Sequence, residues 1–220
     1  MIAAELIDDM IAPLKTSDEV SFALSVMNEF KVSHLPVVNN EAYIAIVSET
    51  DLEADVDPDT PVGHIKLSLP KLMVSASAHI YDVIRMMDEH NLSLLPVVDN
   101  RENYLGVISH GSLLASLSDM AAIRQPGAVI VLEMSQNDYS LSEIAQIIES
   151  NDAKILSLYV HSRVDSTNIE VILKINKQDL APVISTFNRY NYNIKASFGE
   201  DEDPGDLRDR YDSLMNYLNI

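Results

Sequence analysis

One hexapeptide occurs twice in this chain, sixty positions apart. Residues 33–38 read Ser-His-Leu-Pro-Val-Val, and residues 93–98 read Ser-Leu-Leu-Pro-Val-Val. Extended backwards at the same offset, Ser17 pairs with Ser77, Met27 with Met87 and Glu29 with Glu89. The apolar stripe Val20, Ala23, Leu24, Met27 returns as Ile80, Val83, Ile84, Met87. Both stripes have the i, i+3, i+4, i+7 spacing that gives a helix one apolar face. Downstream the offset becomes 61, and Tyr43–Ser48 pairs with Tyr104–Ser109. The first half of the chain is therefore a duplication, and any fold it adopts must be built twice.

Each unit reads as an extended lead-in, a helix, a strand (35–38; 95–98), a polar turn (Asn39-Asn40; Asp99-Asn100), a second strand and a closing helix. β-branched runs joined by polar turns predict hairpins. Units of about 50 residues bury too little surface to stand alone, so the two are expected to pack on each other. The acidic, proline-punctuated stretch Asp55-Val-Asp-Pro58-Asp-Thr-Pro61 reads as the linker.

Charge narrows the function classes. The chain carries a net charge of −19, spread over both halves. Residues 1–125 hold 7 Lys and Arg against 19 Asp and Glu. Nucleic-acid binding needs clustered cations and is not expected. An anionic ligand would have to be held locally, by backbone amides and a few cations. There is no cysteine, so no thiol nucleophile, thiolate metal site or disulfide arises. No apolar run approaches the roughly 20 residues of a membrane span. The N-terminus lacks a basic-then-apolar leader, so a cytoplasmic location is expected. No nucleophile–base pair and no phosphate-binding glycine loop is evident, so an enzyme is not expected.

Two tandem copies of helix, "LPVV" strand, turn, "GVIS"-like strand and helix resemble a cystathionine-β-synthase (CBS) domain pair, or Bateman module. The resemblance covers about residues 1–120. It implies an α+β fold with two βαββα-type repeats, 1–60 and 61–124. It further implies a homodimer and an adenosine-type ligand (AMP, ADP, ATP or S-adenosylmethionine) in the cleft between repeats, with no metal.

The resemblance places nucleotide contacts at the start of each closing helix, where a hydroxyl residue is followed three positions on by Asp. The first copy reads Ser48-Glu49-Thr50-Asp51. A hydroxyl at a helix start can meet phosphate, and a carboxylate can accept from both ribose hydroxyls. The same four residues also spell a capping box, and the two roles are compatible. The second copy, Ser109-His110-Gly111-Ser112, keeps the hydroxyl but has Ser112 in place of the Asp, while Gly106 keeps a glycine where the first copy has Ala45. One site, or an asymmetric pair, is expected, with Ser48 and Asp51 leading and Ser109 next. His110 could meet a phosphate or stand exposed and neutral at the helix start. The lead-in segments, with Lys15, Thr16, Ser17 and Ser75, and also His34, are implied to line the adenine. Leu35 and Leu95 read more simply as strand core. His64, His79, His90 and His161 lack ligand spacing and read as surface residues.

After Arg124-Gln-Pro-Gly127 the pattern changes. A strand at 127–134, a helix at 140–151, strands at about 155–163 and 168–176 joined by the turn Asp165–Asn168, a helix at 178–190 and a strand at about 193–198 give a βαββαβ order. That order predicts a ferredoxin-like domain over 125–198. A βαββαβ unit behind a CBS pair resembles the ACT domain, and the combination is similar to bacterial acetoin-utilisation accessory proteins. ACT domains commonly bind amino acids through a glycine in the first strand–helix loop. Here that loop, Ser135–Ser140, has none. A surface for dimerisation or an unknown protein partner is expected in preference to an amino-acid pocket. Ser140 and Glu143 spell a capping box. Residues 199–205 read as an acidic loop and 206–219 as an amphipathic helix. The competing reading of the whole chain is a CBS/ACT scaffold that dimerises without nucleotide.

Overall fold

The computed structural model describes residues 1–53, 56–162 and 167–199. The acidic loop expected after Gly199, the helix expected over 206–219 and most of the turn expected before Asn168 lie outside the described residues. The chain divides into two compact units, one over Met1–Ser116 and one that begins at Leu117. Among the described residues no helix is long and apolar enough to cross a membrane.

In the first unit each repeat forms a three-stranded sheet with the same order. In repeat one, β1 (Leu14–Lys15) is parallel to β2 (His34–Asn39), which is antiparallel to β3 (Ala42–Ser48). Between β1 and β2 lies α1 (Val20–Phe30), and α2 (Glu49–Glu53) closes the repeat. Repeat two copies this plan with β4 (Val74–Ser75), α3 (Ile80–Glu89), β5 (Leu94–Val98), β6 (Tyr104–Ser109) and α4 (His110–Met120). The LPVV strands are buried on both faces, and every residue of β5 is buried. This explains their unbroken apolar run, because a strand covered on both faces loses polar alternation. Pro36 and Pro96 sit inside these strands without costing a ladder bond, since β1 and β4 pair only with residues 37–38 and 97–98.

The repeats exchange the segments that precede their first strands. Residues 1–8 lie on repeat two: Ala3 N donates to Ala78 O (2.9 Å), Ala4 N to Ala76 O (3.0 Å) and Asp8 N to Val107 O (2.7 Å). Residues 58–72 lie on repeat one: Val20 N donates to Thr60 O (3.0 Å), Val62 N to Asp18 O (2.7 Å), and Tyr43 Oη to Leu72 O (2.6 Å). Each segment contains a short 3-10 helix, Ala3–Leu6 and Val62–His64. Neither repeat is complete without the chain that precedes the other.

The second unit contains β7 (Ala128–Ser135), α5 (Leu141–Glu149), β8 (Ile155–Ser162), β9 (Asn168–Ile175), α6 (Ala181–Arg189) and β10 (Asn193–Phe198). The sheet order β10-β7-β9-β8, antiparallel throughout, is the ferredoxin-like arrangement. Its core runs through Ile130, Leu132, Ile144, Ile148, Val171, Leu173, Val183 and Phe187. α6 begins at Ala181, three residues later than its periodicity suggests, with Pro182 in the first turn where no amide partner is lost. The capping box at α5 is half made. Ser140 accepts from Glu143 N (3.4 Å), but the Glu143 carboxylate accepts instead from Tyr192 Oη (2.8 Å).

Candidate functional site

At the first motif, β3 ends on Ser48 and delivers it to the start of α2. Asp51 N donates to Ser48 Oγ (3.2 Å), and Ser48 N donates back to Asp51 Oδ2 (3.2 Å). The Ser48 hydroxyl also donates to that oxygen at 2.7 Å. The other carboxylate oxygen, Oδ1, accepts from Ser68 N of the exchanged linker (3.0 Å). Burial alone would raise the Asp51 carboxyl, but the hydrogen bonds from Ser68 and Ser48 outweigh it and hold it below its ordinary value of 3.8. Ser48 and Asp51 are both buried, at 6% and 8% exposure. The carboxylate implied to face a ribose is thus turned inward, capping α2 and gripping the linker.

The second motif is built differently. Ser109 ends β6 and caps α4: Ser112 N donates to Ser109 Oγ (3.2 Å), and Ser109 N donates to Ser112 Oγ (3.1 Å). Ser112 supplies the cap but no charge. The Ser109 hydroxyl donates instead to Asp8 Oδ2, 2.8 Å away, from a residue 101 positions earlier. In front of it opens a cavity of about 230 Å³, bordered by Asp8, Phe30, Lys31, Ser109, His110 and Gly111. Lys31 is in the left-handed conformation that ends α1 (φ 55°), and its ammonium donates to Asn28 Oδ1 (2.9 Å). The cavity is therefore bordered by residues that carry a carboxylate, two basic groups and an aromatic ring, and by His110 and Gly111, the first two residues of an eleven-residue helix, whose amides have no partner inside the helix.

His34 ties the repeats together. Its Nδ1 lies 3.1 Å from Ser93 Oγ and accepts from Ser93 N at 3.2 Å. A backbone amide can only donate, so the ring proton sits on Nε2. Burial lowers the affinity of this ring for a second proton; Asp51 nearby opposes the effect and His110 reinforces it. His34 thus lies within electrostatic reach of both Asp51 and His110.

Lys15, Thr16 and Ser17 are not brought to either motif. They border a separate cavity of about 330 Å³ with Asn39 and Asn40, at the turn end of the hairpin. The reason is register: Lys15 pairs with Val38, whereas Ser48 pairs with His34, some four residues or roughly 13 Å away along the strand. Ser75 likewise pairs with Val98, while Ser109 pairs with Leu94. Asp8, Met10 and Ile11 border the cavity at the second motif, and Ser68 donates to Asp51 at the first. Asp8, Phe30, Lys31 and Ser68 carry no local signal in the sequence, since each reaches its motif only through the fold.

In the second unit, a cavity of about 360 Å³ lies beside the first strand–helix loop. Glu133, Asp138 and Glu143 border it, with Tyr190, Tyr192 and Asn193. Burial and the neighbouring Glu143 carboxylate push the Tyr192 hydroxyl well above its usual range, so it stays a donor.

The model of the CBS domain matches residues 3–54 and 62–119, together half of the chain. The chain belongs to the CBS-domain family. Its two matched segments are the two repeats, so this is a tandem CBS protein. It is similar to the homoserine O-acetyltransferase of Methanococcus vannielii, 31% identical over 98 residues, or 42% of this chain and 20% of that one. Among solved structures it resembles a CBS domain pair/ACT domain protein from Thermotoga maritima, at 25% identity and TM-score 0.49, over 54% of this chain and 98% of that one. It also resembles CBSX2 of Arabidopsis thaliana in complex with AMP, at 24% identity and TM-score 0.46, over 54% and 96% of the two chains. The CBS protein spans 20–43% of the length of the curated relatives it matches.

Proposed function

We propose that this tandem CBS protein is a non-catalytic regulator that holds an adenosine-type nucleotide at its second motif. The observation that carries the reading is the composition of the cavity in front of Ser109. Lys31, His110 and the amides heading α4 suit phosphate oxygens. Phe30 suits a base, and Asp8 suits sugar hydroxyls. In a chain of charge −19, Lys31 and the helix amides supply the local attraction an anion needs.

The first motif serves the scaffold in this reading, because Asp51 already accepts three hydrogen bonds and is buried. The ferredoxin-like unit is the reporting part: an ACT-like module for self-association or for a partner protein, within a homodimer. Three carboxylates around its cavity would repel the carboxylate of a free amino acid, which favours the partner role.

The test is thermal unfolding of the whole chain with AMP, ADP, ATP, S-adenosylmethionine and a set of amino acids. A ligand at a hundred times its dissociation constant stabilises by about 2.7 kcal/mol. The expected result is a shift with an adenosine ligand that Lys31→Ala weakens. No shift from any adenosine compound would sink the reading, and a shift from amino acids alone would move the sensor to the second unit.

A further inference from the structure

The second motif has lost its aspartate, yet its serine still meets a carboxylate. Ser48 Oγ donates to Asp51 Oδ2 at 2.7 Å, and Ser109 Oγ donates to Asp8 Oδ2 at 2.8 Å. The two serines occupy equivalent ends of β3 and β6, and each has one carboxylate oxygen at hydrogen-bond distance. In the first repeat that carboxylate comes from the helix. In the second it comes from the exchanged N-terminal segment.

Asp8 is placed firmly. It forms an antiparallel bridge with Val107, and its amide donates to Val107 O at 2.7 Å. Gly106 allows the approach. It has φ +150°, and a Cβ there would lie 2.4 Å from Ile7 Cγ2. The carboxylate also keeps capacity in reserve. Its Oδ2 accepts from Ser109 and its Oδ1 from Met10 N (3.0 Å), which uses two of about four acceptor positions. Asp51 has three positions filled and is buried, whereas Asp8 is half-buried and borders the cavity.

We infer that Asp8 replaces the missing motif aspartate and is the group that reads the ribose hydroxyls of the nucleotide at the second site. The inference rests on the nucleotide reading above and adds the residue that sets sugar specificity. It makes the site selective for ribonucleotides over 2′-deoxyribonucleotides. It also makes the N-terminal segment part of the ligand site.

The experiment is calorimetric titration of the full chain with AMP and with 2′-deoxy-AMP, in the parent and in Asp8→Asn and Asp8→Ala. A hydrogen bond to a charged acceptor corresponds to a preference of about tenfold or more. The parent is expected to favour AMP by that factor. Asp8→Ala is expected to bind AMP at least about tenfold more weakly and to lose the preference. Asp8→Asn keeps an acceptor for Ser109 and therefore the local fold, and is expected to lose most of the preference as well. Equal binding of the two nucleotides by the parent would overturn the role of Asp8 while leaving the nucleotide reading intact. So would an undiminished preference in both variants. If the parent binds neither nucleotide, the role of Asp8 falls, and the nucleotide reading falls with it only where ADP, ATP and S-adenosylmethionine also fail to bind.

Discussion

Ser93 approaches His34 twice at the same ring nitrogen, with its amide at 3.2 Å and its hydroxyl at 3.1 Å. The pair joins one repeat to the other and requires a neutral ring. Protonating Nδ1 would set an N–H against the Ser93 N–H. The proton affinity of His34 is therefore lower in the folded state than its ordinary 6.5, mainly through burial. The unfolded chain binds the extra proton first, so the contribution of His34 is complete above about pH 6.5 and is lost as pH falls through the lower folded value. Thermal midpoints measured from about pH 5 to 8 are expected to fall toward the acid end. His34→Gln should flatten that slope relative to the parent, and an unchanged slope would assign it to other groups.

The equivalent tyrosines of the two repeats differ in one hydrogen bond. Tyr43 Oη donates to Leu72 O at 2.6 Å, whereas the buried hydroxyl of Tyr104 has no hydrogen-bond partner among the described residues. Tyr43→Phe leaves the Leu72 carbonyl unmet and is expected to cost about 1–3 kcal/mol. Tyr104→Phe removes an unpaired polar atom and should be neutral or stabilising. Urea unfolding of the two variants side by side checks the order, and the reverse order would show that the hydrogen bonds are misassigned.

Gly106→Ala should loosen the N-terminal segment without touching the motif serine. The positive φ and the 2.4 Å approach to Ile7 both oppose a side chain there. A cost above about 1 kcal/mol is expected. Hydrogen exchange at the Asp8 amide, which donates to Val107 O, should quicken more than exchange within β5. Equal protection in parent and variant would mean that the segment is held elsewhere.

Phe187→Ala tests the core of the second unit. The ring is fully buried and meets Tyr192 edge to face at 5.4 Å. Truncation is expected to cost about 3–5 kcal/mol. Exchange at β7 and β9 amides should rise, while the first unit keeps its protection. A cost below about 1 kcal/mol would contradict this packing.

Much of this protein is local and was therefore legible. The duplicated LPVV strands, the helical stripe from Val20 to Met27 and the βαββαβ order after Gly127 follow from periodicity and turn chemistry, which neighbouring residues set. The capping function of Ser48 and Asp51 is equally short-range, and the structure forms it in full. The site was less legible. Lys15, Thr16 and Ser17 are implied by resemblance to line the adenine, and only the parallel β1–β2 register places them at the other end of the hairpin from Ser48.

The sequence by itself determined that the first half is built twice, that each copy carries a hairpin behind an amphipathic helix, and that the second copy lacks the motif aspartate. Only the tertiary structure decided what replaces that aspartate. The segment exchange sets Asp8 against Ser109, 101 residues away, and Ser68 against Asp51. Periodicity records which face of an element is buried, but not which distant backbone buries it. The partner of Ser109 is therefore fixed by the backbone of the whole repeat pair, through Gly106, Ile7 and the Asp8–Val107 bridge.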